Sequence, residues 1–220
     1  MTALDVAAEP SPLRLAGTLG VAGLIAGLLL VVAYETTLPR IERNRADALQ
    51  RAVLEVVPGA TAMQRLVWTG GALAVADAGT PSDLPAIHAA YAEGGRFLGW
   101  AIGGEASGFQ DVIKLLFGFD PQRRVIVGLR ILESRETPGL GDKIYKDQDF
   151  AANFSALAVE PPIVARKKGS KREPHEIDAI TGATISSKAV VRILNASVAE
   201  WLQRLPAPGS EPPLKAGGGR

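Results

Sequence analysis

Residues 178–187 read Asp-Ala-Ile-Thr-Gly-Ala-Thr-Ile-Ser-Ser and stand directly before an amphipathic stretch. Apolar residues recur at helical spacing over 186–205, which predicts a helix with one buried side. The glycine and alanine ahead of it allow a bulky ligand to approach the backbone closely. The free N–H groups and the positive dipole end of a helix start favour an anion such as a phosphate. The alternative interpretation is that Ser186 or Ser187 simply caps the helix.

A second glycine-rich stretch, Glu136-Thr-Pro-Gly-Leu-Gly141, directly follows a predicted strand. Its proline fixes the backbone, and its two glycines permit a positive φ. Glu136 and Thr137 are therefore predicted to offer polar contacts to a ligand beside the turn. An ordinary tight turn is the alternative interpretation.

Residues 15–34, LAGTLGVAGLIAGLLLVVAY, contain no charged side chain. At about 1.5 Å per residue, a helix of this length crosses the roughly 30 Å hydrocarbon core of a bilayer. A cleaved signal peptide is the alternative, but its apolar core is usually only about 7–15 residues long. The sequence therefore favours an uncleaved membrane anchor. Small residues share one face of this helix and favour packing against a partner helix; they are Ala16, Gly20, Gly23 and Gly27.

The charges around the anchor predict an orientation. Arg14 precedes it together with two acidic residues, whereas four arginines follow it, at positions 40, 43, 45 and 51. Positively charged flanks tend to stay in the cytoplasm. The charge count alone therefore predicts that the part after the anchor is cytoplasmic.

The rest of the chain predicts an α+β domain with flanking helices. Residues 35–58 have helical periodicity, with Pro39 in the first turn and Pro58-Gly59 ending the run. Short apolar runs separated by turn residues predict a mostly antiparallel sheet, with strands over 63–68, 73–76, 97–102, 111–119 and 124–133. Residues 77–95 are predicted to form a loop with a short helical stretch.

These elements divide the chain into five predicted segments. They are a cytoplasmic N-terminal segment (1–14), a transmembrane helix (15–34), a juxtamembrane helix (35–58), the folded domain (59–205) and a Pro/Gly-rich tail predicted to be disordered (206–220).

The composition restricts the chemistry of this domain. The chain has 220 residues, a formal net charge of +1, and no cysteine, which excludes disulfides, iron–sulfur clusters and a cysteine nucleophile. No metal site and no catalytic residue is predicted. A basic run at 166–172 is predicted to be a solvated loop, with a lipid or partner contact as the alternative. No aromatic residues interleave with the run, so nucleic-acid binding is not indicated. Any redox chemistry must therefore be carried by a cofactor without sulfur ligands.

Together, the two glycine-rich stretches resemble the FMN-binding domain of the G subunit of the Rnf (Rsx) electron-transport complex. That family is related to the C subunit of the sodium-translocating NADH:quinone reductase. The resemblance covers the membrane span, the juxtamembrane helix, the sheet region, both stretches and the final helix. The short chain and the continuation Asp142-Lys143-Ile144 favour the Rnf version.

The resemblance implies a covalent flavin. In this family FMN is attached through its phosphate to a threonine that corresponds to Thr184, and a separate flavin transferase recognises the stretch from Asp178 to Thr184. The other residues of this stretch implied to contact the cofactor are Asp178, Thr181, Gly182 and Ala183. The loop implied to lie beside the flavin contributes Glu136, Thr137, Gly139, Leu140 and Gly141.

The resemblance also implies a location and a set of partners. It implies a single-pass protein of the bacterial inner membrane whose C-terminal domain faces the periplasm, against the charge count. Its partners would be the lipid bilayer and the other membrane subunits of a complex that couples reduced ferredoxin and NAD to ion movement. The chain would be a redox subunit and not a stand-alone enzyme. Two alternatives are a membrane-anchored binding or assembly module without a redox group and a stand-alone flavin enzyme.

Overall fold

The structure is a computed structural model that describes residues 11–77, 79–81 and 83–215. The chain divides into two compact units, Met1–Ala48 and Leu49–Arg220. Of the predicted N-terminal segment 1–14, residues 1–10 lie outside the described residues.

One long helix, α1 (Pro12–Val56), accounts for the described part of the first unit. Its most apolar window has a mean hydropathy of 2.4, so by length and composition this helix is able to cross a membrane. The predicted anchor (15–34) and juxtamembrane helix (35–58) lie on one continuous helix, because α1 runs through Pro39. A proline inside a helix removes one backbone hydrogen bond. The helical turns on both sides of Pro39 keep their own bonds, so the helix continues.

The second unit contains a seven-stranded antiparallel sheet and a separate parallel pair. The strands of the large sheet are β1 (Ala62–Trp68), β2 (Leu73–Val75), β3 (Ala86–Tyr91), β4 (Phe97–Ser107), β5 (Val112–Asp120), β6 (Val125–Glu133) and β7 (Leu157–Ala158). Their order is β2-β1-β3-β4-β5-β6-β7. The parallel pair consists of β8 (Val164–Lys167) and β9 (Glu176–Ala179). Three helices complete the unit: α2 (Lys143–Lys146), α3 (Gln148–Ala152) and α4 (Thr184–Trp201). The predicted α+β class with a mostly antiparallel sheet is confirmed.

Strand β3 lies where we expected a loop with a short helical stretch, so that prediction was wrong. Its sequence, Ala-Ile-His-Ala-Ala-Tyr, has neither apolar alternation nor a high content of β-branched residues. Five of its six residues are buried, because both faces of the strand are covered. A strand covered on both faces does not show the period of two on which the prediction relied.

The two faces of the sheet carry two separate clusters of buried apolar side chains. On one face, α4 packs with Trp100, Ile102 and Phe117 in the larger cluster. On the other face, the last turns of α1 pack with Ala90, Ala101 and Leu116, which alternate with those residues along the strands. The end of α1 therefore forms part of the folded domain, whose predicted start was residue 59.

The C-terminal tail, predicted to be disordered, packs on the folded domain as far as residue 215. The Tyr91 hydroxyl donates a hydrogen bond to the carbonyl oxygen of Pro212 at 2.6 Å, and the N–H of Lys215 donates to Gln64 Oε1 at 2.8 Å. Leu214 packs against the larger cluster. Residues 216–220 lie outside the described residues.

Candidate functional site

Three segments of the second unit line a cleft with a volume of about 300 Å³. The segments are the turn between β4 and β5, the loop after β6 and the beginning of α4. Seven of the predicted site residues lie together here: Glu136, Thr137, Leu140, Gly141, Gly182, Ala183 and Thr184. Three further lining residues were not predicted as site residues, namely Phe109, Ile185 and Ser186.

The cleft is held together by the carboxylate of Glu136, which is 5% exposed. Its Oε1 accepts hydrogen bonds from the backbone N–H groups of Phe109 (2.9 Å) and Gln110 (3.1 Å). Its Oε2 accepts a hydrogen bond of 2.5 Å from Ser186 Oγ in the first turn of α4. The carboxylate thus connects all three segments of the cleft. The sequence predicts Glu136 as a polar contact to a ligand, whereas both of its oxygens already have partners in the protein.

The pKa of Glu136 is lowered from its ordinary value of 4.5. Burial by itself raises this pKa, but the hydrogen bonds from Ser186 and from the backbone N–H groups of Gln110, Phe109 and Asp111 together outweigh burial. Glu136 is therefore a carboxylate at neutral pH.

The first turn of α4 presents backbone donors at the cleft. The N-cap position is Ala183, which has no hydroxyl to accept these bonds. Within the described part of the chain, no protein group accepts a hydrogen bond from the N–H of Thr184, Ile185 or Ser186. Unpaired N–H groups at a helix start attract an anion, and the helix dipole adds to this preference.

The four hydroxyl groups of this stretch differ in their accessibility. Ser186 and Ser187 are buried, and Ser187 Oγ donates to the carbonyl oxygen of Ala183 and accepts from the N–H of Ile180. Neither serine is the cap, because the helix begins two residues earlier than we predicted. Thr181 and Thr184 are exposed, and of these two only Thr184 lines the cleft.

Glycines allow the loop after β6 and the segment between β9 and α4 to approach each other. Gly182 has a φ of +84°, in the region that favours glycine, and a side chain at this position would stand 3.7 Å from Leu140. Gly139 has a φ of +78° and completes the turn after β6, although it does not line the cleft. Thr137 in the same turn donates a hydrogen bond to the side-chain oxygen of Gln110 at 3.1 Å.

Asp178 does not line this cleft. It borders a smaller cleft together with Asp147, Asp149 and Lys168. Its Oδ1 accepts hydrogen bonds from the backbone N–H groups of Ser170 and Lys171, both at 3.2 Å. The carboxylate therefore holds the basic run 166–172, which forms the end of β8 and the turn that follows it.

A buried neighbour of Asp178 holds the same run. Glu176 Oε2 accepts a hydrogen bond from the N–H of Arg172 at 2.9 Å, and Oε1 pairs with the Arg166 guanidinium at 2.6 Å. These bonds, that of the Arg172 N–H first, lower the pKa of Glu176 to about 2. The basic run is exposed to solvent, in agreement with the predicted solvated loop, and these hydrogen bonds fix its turn.

Comparison with known proteins identifies the family. The sequence model of the family described as FMN-binding domain matches residues 108–199, which include all three segments of the cleft. The G subunit of the ion-translocating oxidoreductase complex of Methanosarcina acetivorans is 30% identical over 181 residues, which are 82% of this chain and 89% of that protein. The chain belongs to this G-subunit family. The resemblance stated from the sequence is thereby confirmed.

Other relatives of this G-subunit chain agree. The G subunit of the Na(+)-translocating ferredoxin:NAD(+) oxidoreductase complex of Acetobacterium woodii is 36% identical over 108 residues, which are 47% of this chain and 49% of that protein. The crystal structure of Shewanella oneidensis NqrC matches with a TM-score of 0.58 at 20% identity, covering 70% of this chain and 91% of that one. At this identity the likeness to NqrC shows a shared fold.

Proposed function

We propose that the chain is the electron-transfer subunit of a membrane-bound, ion-translocating ferredoxin/NAD oxidoreductase complex, and that it carries FMN as a phosphoester on Thr184. The observation that carries the second part is the accessibility of the hydroxyls around the cleft. Thr184 is exposed, lines the cleft and is the first residue of α4, whereas Ser186 and Ser187 are buried and hydrogen-bonded.

The residues of the cleft fit a phosphate on Thr184. The ester keeps one negative charge, and the N–H groups of Thr184, Ile185 and Ser186 stand unpaired at the same helix end. A charge at this position is favoured by about 0.3–1 kcal/mol through the helix dipole. The Gly182 backbone leaves room for the group to approach.

The apolar part of the cleft fits the ring system of a flavin. Phe109, Leu140 and Ile185 each present an exposed apolar side chain at its wall. When bound, FMN supplies a centre that exchanges electrons singly or in pairs. The chain's own residues then hold the ring, exclude water from one side of it and prevent the loss of the cofactor.

The attachment needs a second protein. Forming the ester breaks the O–H bond of Thr184 and the bond between the flavin's phosphorus and its leaving group. It creates a P–O bond to Thr184 Oγ1, and the leaving group takes up the proton. No described side chain of the cleft is placed as a free base for Thr184, because Glu136 already accepts three hydrogen bonds. We infer that a flavin transferase catalyses this step and recognises the stretch from Asp178 to Thr184. Asp178 then contributes by holding the basic turn beside that stretch.

We further propose that α1 anchors the chain in the inner membrane with the folded domain in the periplasm, where a covalent link retains a cofactor that no cytoplasmic pool replaces. The arginines that follow the anchor favour the opposite side, but that rule is a bias, and partner subunits also determine topology.

The mass of the intact chain tests the attachment. Full-length protein co-expressed with a flavin transferase should gain the mass of FMN less one water, and its band should fluoresce in a denaturing gel. Thr184→Val should abolish both signals. Thr69→Val is the matched control, because Thr69 is also exposed but lies outside both the cleft and the stretch from Asp178 to Thr184, and it should keep both signals.

Each other result rejects a part of the proposal. An adduct retained in Thr184→Val places the ester on another hydroxyl. The absence of any flavin from the wild-type chain, with the transferase active on a second substrate, favours a binding or assembly module without a redox group.

A further inference from the structure

The turn between β4 and β5 places an aromatic side chain at the cleft that neither glycine-rich stretch contains. Phe109 is 64% exposed, the highest value among the large apolar side chains described in the second unit. Leu140 and Ile185 face the same cleft and are 50% and 53% exposed. Exposing large apolar side chains together is unfavourable in water, so this arrangement indicates an apolar ligand.

The turn that carries Phe109 is rigidly held. The N–H of Gly108 donates to the carbonyl oxygen of Asp111 at 2.8 Å, and the next two N–H groups donate to Glu136. The side chain of Gln110 accepts a further bond from Thr137. An exposed ring on a fixed backbone is already ordered, which reduces the entropy cost of ligand binding.

The same carboxylate fixes the distance between this turn and the beginning of α4. Glu136 Oε1 holds the backbone of Phe109, while Oε2 holds Ser186, two residues after Thr184. Two glycines make room for the carboxylate. A Cβ at Gly141 would lie 2.6 Å from Oε2, and a Cβ at Gly108 would collide with Oε1.

We propose that Phe109 packs against one face of the isoalloxazine ring, and that Glu136 is the positioning residue that sets Phe109 relative to the attachment point. This inference rests on the proposed flavin at Thr184. An aromatic ring attached to a short rigid turn suits a flat ring system, and the apolar side chains of Leu140 and Ile185 contact its edges.

Flavin fluorescence tests the position of Phe109. An indole in contact with a flavin quenches its emission by photoinduced electron transfer, and quenching falls steeply with distance. In the flavin-loaded full chain, Phe109→Trp should reduce the emission yield several-fold. Tyr145→Trp is the control, because Tyr145 is 51% exposed but does not line the cleft, and it should leave the yield near that of the wild type. Equal yields in the two loaded variants would overturn the inference.

A second pair of variants tests Glu136. In the Phe109→Trp background, Glu136→Gln should recover part of the lost emission, because the turn is held less tightly. Glu176→Gln is the matched control: Glu176 is 3% exposed and also accepts two backbone N–H bonds, but in another loop. Its emission should remain quenched. Equal emission from both double variants, with thermal unfolding confirming that both are folded, would overturn the positioning role.

Intact mass separates the two levels of the proposal. If the wild-type chain lacks the adduct, the proposed function fails, and the inference about Phe109 fails with it. If every variant carries the adduct but Phe109→Trp does not quench, only the inference about Phe109 fails.

Discussion

At the scale of single residues, Glu136 combines a buried charge with a connecting role. Its carboxylate accepts hydrogen bonds from Phe109 and Gln110 in the turn after β4 and from Ser186 in α4, and these bonds favour its ionised form. A glutamine at this position has one acceptor oxygen in place of two, so it would hold the two segments with fewer and weaker hydrogen bonds, since bonds to an ionised group contribute more to stability.

Glu136→Gln should therefore lower the free energy of unfolding by about 1 kcal/mol at pH 7. The folded state lowers the pKa of Glu136, so the stabilisation by its charge is present above pH 4.5 and is lost as the pH falls below that value. Denaturant titrations of the full chain in detergent at pH 7 and pH 4 should show the difference between variant and wild type shrinking.

The control for this prediction is Glu133→Gln. Glu133 is 52% exposed and 3.6 Å from Lys114, and its substitution should change the free energy of unfolding by less than about 0.5 kcal/mol. A pH-independent effect of Glu136→Gln would argue against the charged hydrogen bonds.

Most of the cleft could be predicted from the sequence, because its residues lie in two short contiguous stretches around glycines. Phe109 and Ser186 could not, since their roles depend on contacts with Glu136 across 27 and 50 positions of the chain. Asp178 was assigned to the same site because the family resemblance implies a motif that runs from Asp178 to Thr184. Its side chain instead holds the turn after β8, a consequence of the parallel pairing of β8 with β9.

At the scale of elements, glycines determine how closely the end of α1 packs on the sheet. A Cβ at Gly128 on β6 would lie 2.5 Å from the carbonyl oxygen of Val56 and 2.9 Å from its Cα. Both are backbone atoms and cannot move aside as a side chain does. A Cβ at the neighbouring Gly118 on β5 would collide with the same carbonyl group.

Gly128→Ala should therefore destabilise the full chain by about 1–3 kcal/mol, the usual cost of overpacking. Gly103→Ala is the control, because a Cβ at Gly103 on β4 meets only the Leu115 carbonyl oxygen at 3.9 Å. Thermal unfolding should show a lower midpoint for Gly128→Ala alone. Equal shifts in the two variants would mean that strand flexibility, and not the contact with α1, determines the effect.

The tail is the element that local sequence predicted worst. Its Pro/Gly-rich composition is typical of disorder, yet Tyr91 and Gln64 fix it to β3 and β1. Those partners lie more than a hundred positions away in the chain, so local composition does not contain this information. The strands β5 and β6 were predicted to within one residue at each end because each is an apolar run bounded by turn residues, whereas β4 continues past its predicted end at residue 102 to Ser107.

Tyr91→Phe should loosen the tail by removing one of its two hydrogen bonds to the sheet. The substitution leaves the Pro212 carbonyl oxygen without its donor and should cost about 1 kcal/mol. Burial, followed by the charge of Glu211, raises the pKa of Tyr91 to about 12. The contribution of Tyr91 is therefore present below pH 10.0 and is lost as the pH rises towards 12.

Hydrogen exchange at the N–H of Lys215 should accelerate in Tyr91→Phe and stay unchanged in Tyr145→Phe, whose ring is exposed. Unchanged exchange in both variants would show that the tail is held by its apolar contacts.

At the scale of the whole molecule, the proposed function depends on which side of the membrane the folded domain occupies. The charges after the anchor favour the cytoplasm, whereas the family resemblance implies the periplasm. Residues 1–14 contain both signs of charge, so they oppose neither orientation strongly. We therefore expect the partner subunits of the complex to determine the orientation.

Protease added to intact spheroplasts should distinguish these two orientations. The basic turn from residue 166 to 172 is exposed and contains five lysines or arginines, which makes it a site for trypsin. With the domain in the periplasm, trypsin should cleave the chain while a soluble cytoplasmic enzyme in the same sample stays intact. Replacing Arg40, Arg43 and Arg45 by glutamine should leave this pattern unchanged, because those charges oppose the proposed orientation. Cleavage only after lysis would show that the folded domain is in the cytoplasm. That result would overturn the proposal that the covalent link serves a compartment without a flavin pool.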